Sequence, residues 1–340
     1  MKIGVTTISV WLVFSLVVGP EITAVSLASR IPQRCGQQAY RGIDSRLKPD
    51  IVGVLPDAKQ FVVGFELANH QPVIALADQV LEIGQNSMVK RTVPHAVRGI
   101  SVDRSSRLLI QTDHGILTGD SVLQTNVGLT NIIKGRLYDS GSPLLLEVRS
   151  RDKTIQFLAR RHGGQSFLIA TFQGTFSAAS WNSIGLVTVV EDSLYVWDAG
   201  SKKIVRLLTD RGLRSVKDVV LVGPERVIVT LKAMVILVTP REALVVAGIP
   251  SARCRFDAGV LYLLDDETGL VWALKGLDQL GTKLGDRAHA IDLLKLMPNQ
   301  TGESSAQFLE AARILGCDQA RREAASLKSA DGQVTSRHKN

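Results

Sequence analysis

Short apolar strands separated by polar turns recur along most of this chain. The clearest example spans residues 185–200, where an alternating β-branched run ends at Val190 and a polar turn follows at 191–193. A second apolar run then begins at Leu194 and ends at Trp197. Alternation over so few residues, interrupted by turn-forming side chains, predicts a β-hairpin of two short strands.

Weaker copies of this hairpin precede and follow it. The second strand of each copy ends in a large apolar residue, and these residues are spaced by about forty positions, fewer at the last step. They are Leu117, Phe157, Trp197, Leu237 and Trp272. An earlier strand is predicted before each hairpin, as at 136–139, and a fourth often follows. The first unit is predicted to contain strands at 51–55, 61–63 and 73–76.

Four short strands per unit, with a period near forty, predict a β-propeller, which is an all-β fold. A single blade cannot bury both of its faces, whereas blades stacked around a ring cover one another and form a continuous core. Dividing residues 51–285 by the period predicts about six four-stranded blades. A helical period does not interrupt this region, which argues against an α/β fold.

Two stretches resemble known propeller repeats. Residues 194–200, Leu-Tyr-Val-Trp-Asp-Ala-Gly, resemble a WD40 repeat. Residues 261–269, Leu-Tyr-Leu-Leu-Asp-Asp-Glu-Thr-Gly, resemble a quinoprotein repeat, although the Lys of that repeat is missing. The chain is thus similar to the broad β-propeller superfamily that includes WD40, NHL and pyrroloquinoline-quinone-like repeats. This resemblance covers roughly residues 51–285, implies the propeller fold and assigns no ligand.

Residues 1–28 are predicted to be a secretory signal peptide. Lys2 precedes an uncharged apolar run at 3–19, and Ser26 and Ala28 offer small side chains where signal peptidase reads them. We therefore expect export to the periplasm or the extracellular space, with residues 29–50 as a linker before the propeller. An uncleaved membrane anchor is the alternative, although the run is slightly short for a span of about 20 residues. Membrane contact is expected only in that case.

The three cysteines, Cys35, Cys254 and Cys317, permit one disulfide and one free thiol in an oxidising compartment. Ring closure brings together the segments that flank the blades, and Cys35 and Cys317 lie in those segments. Cys254 lies in a predicted inner strand, where a thiol acts as a small apolar side chain. A Cys35–Cys317 disulfide is predicted, with Cys35–Cys254 as the competing pair.

After Gly285 the alternating pattern gives way to helical spacing. Residues 286–328 are predicted to form a short α-helical tail, and the polar residues 329–340 are predicted to be a disordered C-terminus. Phe308, Ala311 and Leu315 form an apolar stripe on this tail. The stripe is predicted to pack back on the propeller, and docking of a partner protein is the alternative.

Composition supports a globular protein, because 45% of the residues are hydrophobic and 21% are charged. The formal net charge is +8, but the basic residues occur in separate pairs, such as Arg160 and Arg161, rather than in one stripe. A nucleic-acid partner is therefore not expected.

Candidate chemistry is sparse. Residues 139–143, Asp-Ser-Gly-Ser-Pro, resemble the nucleophile segment of chymotrypsin-like serine proteases, in which Ser140 would attack, but the expected upstream histidine segment is absent. The acidic stretch 265–267 could hold a hard cation, although a hairpin turn is the favoured interpretation. The histidines are scattered without metal-ligand spacing, at His70, His95, His114, His162, His289 and His338.

No catalytic, cofactor-binding or metal-binding residue is therefore predicted. Trp197 and Trp272 are predicted to be structural, each packed between adjacent blades. The leading hypothesis is a non-enzymatic, exported propeller that binds a protein or serves as an assembly platform in the cell envelope. The alternatives are a lactonase-type or other propeller hydrolase, with carboxylates and histidines converging in the central channel, and a quinone-cofactor-binding propeller.

Overall fold

The computed structural model describes residues 42–327 with several gaps. The gaps are residues 56–60, 85–87, 103–106, 119–120, 126–130, 134–143, 152, 162–165, 183, 199–200, 202, 241–242, 251, 282, 298–304 and 316–317.

The described residues form six four-stranded antiparallel sheets, which are the blades of a β-propeller. This confirms the predicted all-β propeller of about six blades. Blade 1 consists of β2 (Gly64–Ala68), β3 (Gln71–Ala75), β4 (Gln79–Ile83) and β5 (Met88–Thr92). Blade 2 consists of β6 (Val97–Val102), β7 (Leu108–Thr112), β8 (Gly115–Thr118) and β9 (Ser121–Thr125). Blade 3 consists of β10 (Asn131–Ile133), β11 (Leu144–Arg151), β12 (Thr154–Arg161) and β13 (Ser166–Gln173). Blade 4 consists of β14 (Phe176–Trp181), β15 (Gly185–Val190), β16 (Ser193–Asp198) and β17 (Ile204–Thr209). Blade 5 consists of β18 (Asp218–Gly223), β19 (Arg226–Thr230), β20 (Val235–Val238) and β21 (Ala243–Ala247). Blade 6 consists of β22 (Arg253–Asp257), β23 (Val260–Leu264) and β24 (Leu270–Lys275), together with β1 (Lys48–Val54).

The first strand of each blade lies innermost in the ring. Strand β14 contacts β10 and β18, β22 contacts β18 and β2, and β2 contacts β6. The contact between β22 and β2 joins the last blade to the first. The ring is therefore closed.

The outer strand of blade 6 comes from the N-terminal side of the chain. Strand β1 pairs antiparallel with β24, from Lys48 opposite Lys275 to Val54 opposite Leu270. The sequence analysis placed residues 51–55 in the first blade, and this assignment was wrong. The alternating sequence of a short strand indicates which of its faces is apolar, but it does not indicate which other strand it pairs with. The predicted strand at 136–139 lies outside the described residues, and blade 3 begins instead with β10.

The core lies between the blades, and β15 shows how it is built. All six residues of this strand are buried. Val187 and Val189 pack with apolar residues of blade 5, whereas Leu186 and Val190 pack with those of blade 3. Because successive side chains point to opposite faces, a strand buried on both sides is apolar at nearly every position, and the buried Thr188 hydroxyl donates to Ala178 O at 3.2 Å. This explains the nearly continuous β-branched run that is so clear in the sequence.

The tail consists of α1 (Lys283–Lys295), α2 (Ala306–Leu315) and a further helical segment at 318–327. Ala290 and Leu294 of α1 pack with Phe308 and Ala311 of α2 in a small core of their own. Helix α2 also contacts β21, so the tail covers the outer strand of blade 5.

One cation ties this tail to the segment before β1. Arg46 donates from Nη2 to Asp44 Oδ2 at 2.8 Å and from Nη1 to Asp286 of α1. Burial would lower the pKa of Arg46, but hydrogen bonds to Asp44 and Asp286 and their charges raise it above its ordinary value. Arg46 is therefore a charged bridge between the two ends of the described chain.

Candidate functional site

Arg255 lies at the centre of an ion-pair network that joins the innermost strands of three consecutive blades. Its Nε donates to Glu66 Oε1 of β2 at 2.9 Å, and its Nη1 donates to Asp218 Oδ2 of β18 at 2.8 Å. Burial alone would lower the pKa of Arg255, but the charges of Asp218 and Glu66 outweigh burial and raise the pKa well above its ordinary value. The guanidinium stays charged and holds blades 5, 6 and 1 together.

This network bears on the hydrolase hypothesis, which requires carboxylates and histidines to converge near the axis. Glu66 and Asp218 are carboxylates of innermost strands, and both accept hydrogen bonds from Arg255. The two groups of metal-ligating side chains that the described residues bring together do not include Glu66 or Asp218; one contains His95 and His114, and the other lies at the tail. Glu66 and Asp218 therefore contribute to packing between blades.

Cys254 is a fully buried thiol on the same inner strand. Its backbone N–H donates to Asp218 Oδ2 at 3.2 Å. Burial raises the pKa of the Cys254 thiol well above its usual value, and the Asp218 charge adds to the effect. A neutral, enclosed thiol is a poor nucleophile.

The predicted structural tryptophans lie at two blade boundaries. Trp197 of β16 is half-buried, packs with the core between blades 3 and 4, and stacks on Trp181 with ring centroids 5.1 Å apart. Trp272 of β24 is also half-buried and packs with the core between blades 5 and 6. The more deeply buried Trp181 is a residue that the repeat alignment did not single out.

Two outer strands with exposed apolar residues lie on either side of the ring closure. On β1, Ile51 and Val54 are exposed, and on β5 all five residues are exposed, including Met88 at 43% and Val89 at 57%. We call Ile51, Val54, Met88 and Val89 the closure surface. By contrast, β21 is buried at every position beneath the tail.

Close packing at this boundary brings β1 against β4, the strand that pairs with β5. A Cβ added to Gly53 of β1 would lie 2.5 Å from Ile83 Cγ2, so only glycine allows β1 to approach β4 here. Ile83 is directly opposite Met88 in the ladder between β4 and β5. The closure surface therefore consists of exposed apolar residues on the outer strands of blades 6 and 1, on either side of this boundary.

Several histidines lie close to partner residues that are distant from them in the sequence. His70 Nδ1 contacts Asp257 Oδ2 between blades 1 and 6. His95, Asp113 and His114 have ligand atoms that all lie within 4.8 Å of one another. These groups come from separate turns, so a search for contiguous metal-ligand spacing misses them.

A second such group lies at the junction with the tail and consists of Asp44, His289 and Glu310. Ser45 contacts two members of this group. Its Oγ is 3.0 Å from His289 Nε2, and its backbone N donates to Glu310 Oε1 at 3.2 Å. Both oxygens of Asp44 accept hydrogen bonds from Arg46. These contacts make the group part of the packing between the tail and the segment before β1.

The acidic stretch at 265–267 is the turn between β23 and β24. The Asp265 carboxylate accepts from the backbone N–H groups of Glu267 and Thr268 and, at 2.6 Å, from the Thr268 hydroxyl. Its oxygens therefore stabilise the turn, as the favoured interpretation of this stretch predicted.

Several predicted features lie outside the described residues. They are the signal peptide at 1–28, Cys35, Cys317, the protease-like motif around Ser140, His162, His338 and the predicted disordered C-terminus at 329–340. Among the helices that the structure describes, none combines the length and apolar character needed to cross a membrane.

The protein is therefore a six-bladed β-propeller with an apolar, exposed outer edge at its ring closure. No protein-family model matches the sequence, and no curated protein matches it. Similar solved structures include BamB from Moraxella catarrhalis, at 10% identity over 75% of this chain and 96% of that chain, with a TM-score of 0.42. The Neurospora crassa Pan2 WD40 domain matches at 11% identity over 72% and 88% of the two chains, with a TM-score of 0.43.

A third similar structure is an auxiliary nutrient binding protein from Bacteroides ovatus, at 8% identity over 69% of this chain and 76% of that chain, with a TM-score of 0.48. At such identities and TM-scores, these similarities assign neither a partner nor an activity.

Proposed function

We propose that this protein is an exported, non-enzymatic β-propeller that binds a protein partner in the cell envelope through its closure surface. The observation that carries the proposal is strand β5, whose five residues are all exposed although two of them, Met88 and Val89, are apolar. Exposed apolar side chains on the outer strand of a blade are available for contact with a protein partner.

The partner that fits best is an extended segment that adds a strand to blade 1. Strand β5 is the last strand of its sheet and pairs only with β4 within the described residues. Its outer edge therefore offers backbone donors and acceptors, which an incoming strand can use. Lys90 and Arg91 follow the two apolar residues, so an acidic residue in the incoming segment is complementary in charge.

The same charges limit binding to the wrong partner. An exposed apolar edge strand can pair with a second copy of itself, and lysine is a common device against this. Lys90 and Arg91 would repel the same residues of another copy. The edge therefore favours an acidic partner over self-association.

Site-specific photo-crosslinking in intact cells tests this proposal. A photoreactive amino acid at Val89 is expected to give one main adduct, whose crosslinked peptide carries acidic residues. The matched control is Leu168, which is 55% exposed on the outer strand of blade 3. The proposal fails if position 89 gives no adduct, or if position 168 gives the same one.

Charge reversal gives an independent check. The double change Lys90→Glu and Arg91→Glu is expected to reduce the adduct yield at position 89 about tenfold, which corresponds to about 1.4 kcal/mol. Both side chains are exposed, so folding should be unaffected. An unchanged yield would contradict recognition of an acidic segment.

Export is tested separately by N-terminal sequencing of the protein recovered from its host. Cleavage after Ala28 predicts that the mature chain begins at Ser29. Recovery of chains that begin at Met1 would instead support the uncleaved anchor.

A further inference from the structure

His95, Asp113 and His114 come together on one face of the propeller because of the way the strands alternate. His95 lies in the connection from β5 to β6, and His114 lies in the turn from β7 to β8. In an antiparallel blade, the connection into the first strand and the turn between the second and third strands emerge on the same face. The two imidazole rings lie with their centroids 4.1 Å apart and tilted by 45°.

We propose that these three side chains form a binding site for a divalent transition-metal ion of the zinc, copper or nickel type. Their ligand atoms all lie within 4.8 Å of one another, and Asp113 Oδ1 is 3.9 Å from His114 Nε2. Two imidazole nitrogens and one carboxylate oxygen are ligands that these ions accept, whereas calcium and magnesium prefer oxygen ligands alone.

The distances require only a small closing movement. Tetrahedral zinc with bond lengths of about 2.1 Å needs ligand atoms about 3.4 Å apart. His114 and Asp113 are exposed at 67% and 39% of their side-chain area, so an ion can reach them from solvent and their rotamers can adjust. With three protein ligands, the fourth position stays open to water or to a group from a partner.

The backbone on both sides of the site is held in place. Thr112 Oγ1 accepts from His114 N at 3.2 Å and donates to Gly115 O at 3.0 Å, which fixes the turn. The other loop is anchored on both sides of His95, because Val93 N and Val97 N each donate to a backbone carbonyl of the turn between β3 and β4, at 2.9 and 2.8 Å. Much of the ordering needed for binding is therefore present before the ion arrives.

Calorimetric titration of the full-length protein with zinc tests the site, using protein without a polyhistidine tag at about pH 7.5, where imidazole can ligate. We expect one zinc ion per chain at this site. His114→Gln and His95→Gln should each weaken binding more than about tenfold, because even the loss of an outer partner of a metal ligand costs 10–100-fold.

Two matched controls separate this site from the other histidines. His70→Gln removes the exposed histidine beside Asp257, and His289→Gln removes the histidine at the tail. Zinc affinity should stay unchanged in both. The proposal is overturned if the wild-type protein binds no zinc, if the His95 and His114 variants bind as tightly as wild type, or if affinity falls with His289 instead.

Electron paramagnetic resonance of the copper-loaded protein gives a second readout that does not depend on affinity. The wild-type spectrum should show nitrogen couplings from two imidazoles, and His95→Gln should leave one. Two remaining imidazoles in that variant would place the ion elsewhere.

Discussion

Arg255 of β22 and Glu66 of β2 form an ion pair across the point where the ring closes, with Nε and Oε1 2.9 Å apart. The side chains retain 8% and 7% of their exposure, so the pair is almost fully withdrawn from water. Removing one partner of such a pair leaves an uncompensated buried charge, which costs far more than the net value of the pair itself. The closure is therefore sensitive to a single substitution.

Arg255→Met is expected to lower the free energy of unfolding by about 3–5 kcal/mol, because Glu66 and Asp218 would remain buried without their cation. Urea unfolding followed by tryptophan fluorescence measures the change. The matched control is Arg98→Met on β6, where the side chain is exposed and a change within about 0.5 kcal/mol is expected. Equal stability of the two variants would show that the network does not hold the closure.

Substitution of the stacked tryptophans should show which of them stabilises the boundary between blades 3 and 4. Trp181→Ala removes a buried ring and is expected to cost about 3–5 kcal/mol. Trp197→Ala removes a half-buried ring from the same stack and should cost less, about 2–3 kcal/mol. Denaturant midpoints of the two variants test the order. A Trp197→Ala midpoint equal to that of wild type would contradict its structural role.

Cys254 should be unreactive in the folded protein. Its enclosed thiol has a raised pKa, so almost no thiolate is present at neutral pH. Ellman's reagent should detect no Cys254 thiol before unfolding and about one thiol per chain after it, without reduction. Rapid labelling of Cys254 in the native protein would mean that blade 6 opens.

The Cys35–Cys317 disulfide, with Cys35–Cys254 as its competitor, stays a prediction that the thiols themselves can test. Peptide mapping under non-reducing conditions should recover Cys35 joined to Cys317. A peptide that joins Cys35 to Cys254, or an alkylated Cys35, would contradict the pairing.

Arg46→Leu should loosen the attachment of the tail. Without the guanidinium, Asp44 and Asp286 would face each other as buried carboxylates, and among the described residues Asp286 Oδ2 already has no hydrogen-bond partner. Hydrogen exchange of α1 amides should become faster while that of blade 3 stays unchanged. Arg287→Leu is the control, since Arg287 pairs with Glu323 at an exposed position within the tail. Equal exchange in both variants would argue against the bridge.

Much of the fold could be predicted because propeller blades repeat a local pattern. Leu117, Phe157, Trp197, Leu237 and Trp272 were aligned by spacing alone, and all five lie on the third strand of their blade. The alignment worked because a neighbouring blade covers this position at least partly in every repeat, which favours a large apolar residue there. The prediction was wrong at residues 51–55, where the strand pattern was correct but its partner was not.

The candidate sites could not be predicted in the same way. Met88 and Val89 look like core residues in the sequence, and only their place on an uncovered outer strand makes them exposed. His95 and His114 are separated by two strands along the chain, and their rings meet because the connection into β6 and the turn between β7 and β8 emerge on one face.

The sequence by itself determined the repeating four-stranded unit, the approximate number of blades and the helical tail, because these follow from which side chains must leave water at each position. Only the tertiary structure decided that β1 completes the last blade, that Arg255 joins Glu66 and Asp218, and which apolar strand stays exposed. Those outcomes depend on which edges and faces meet after the ring has closed. The polarity of a side chain predicts whether the residue is buried, but it does not predict which other residues it packs against.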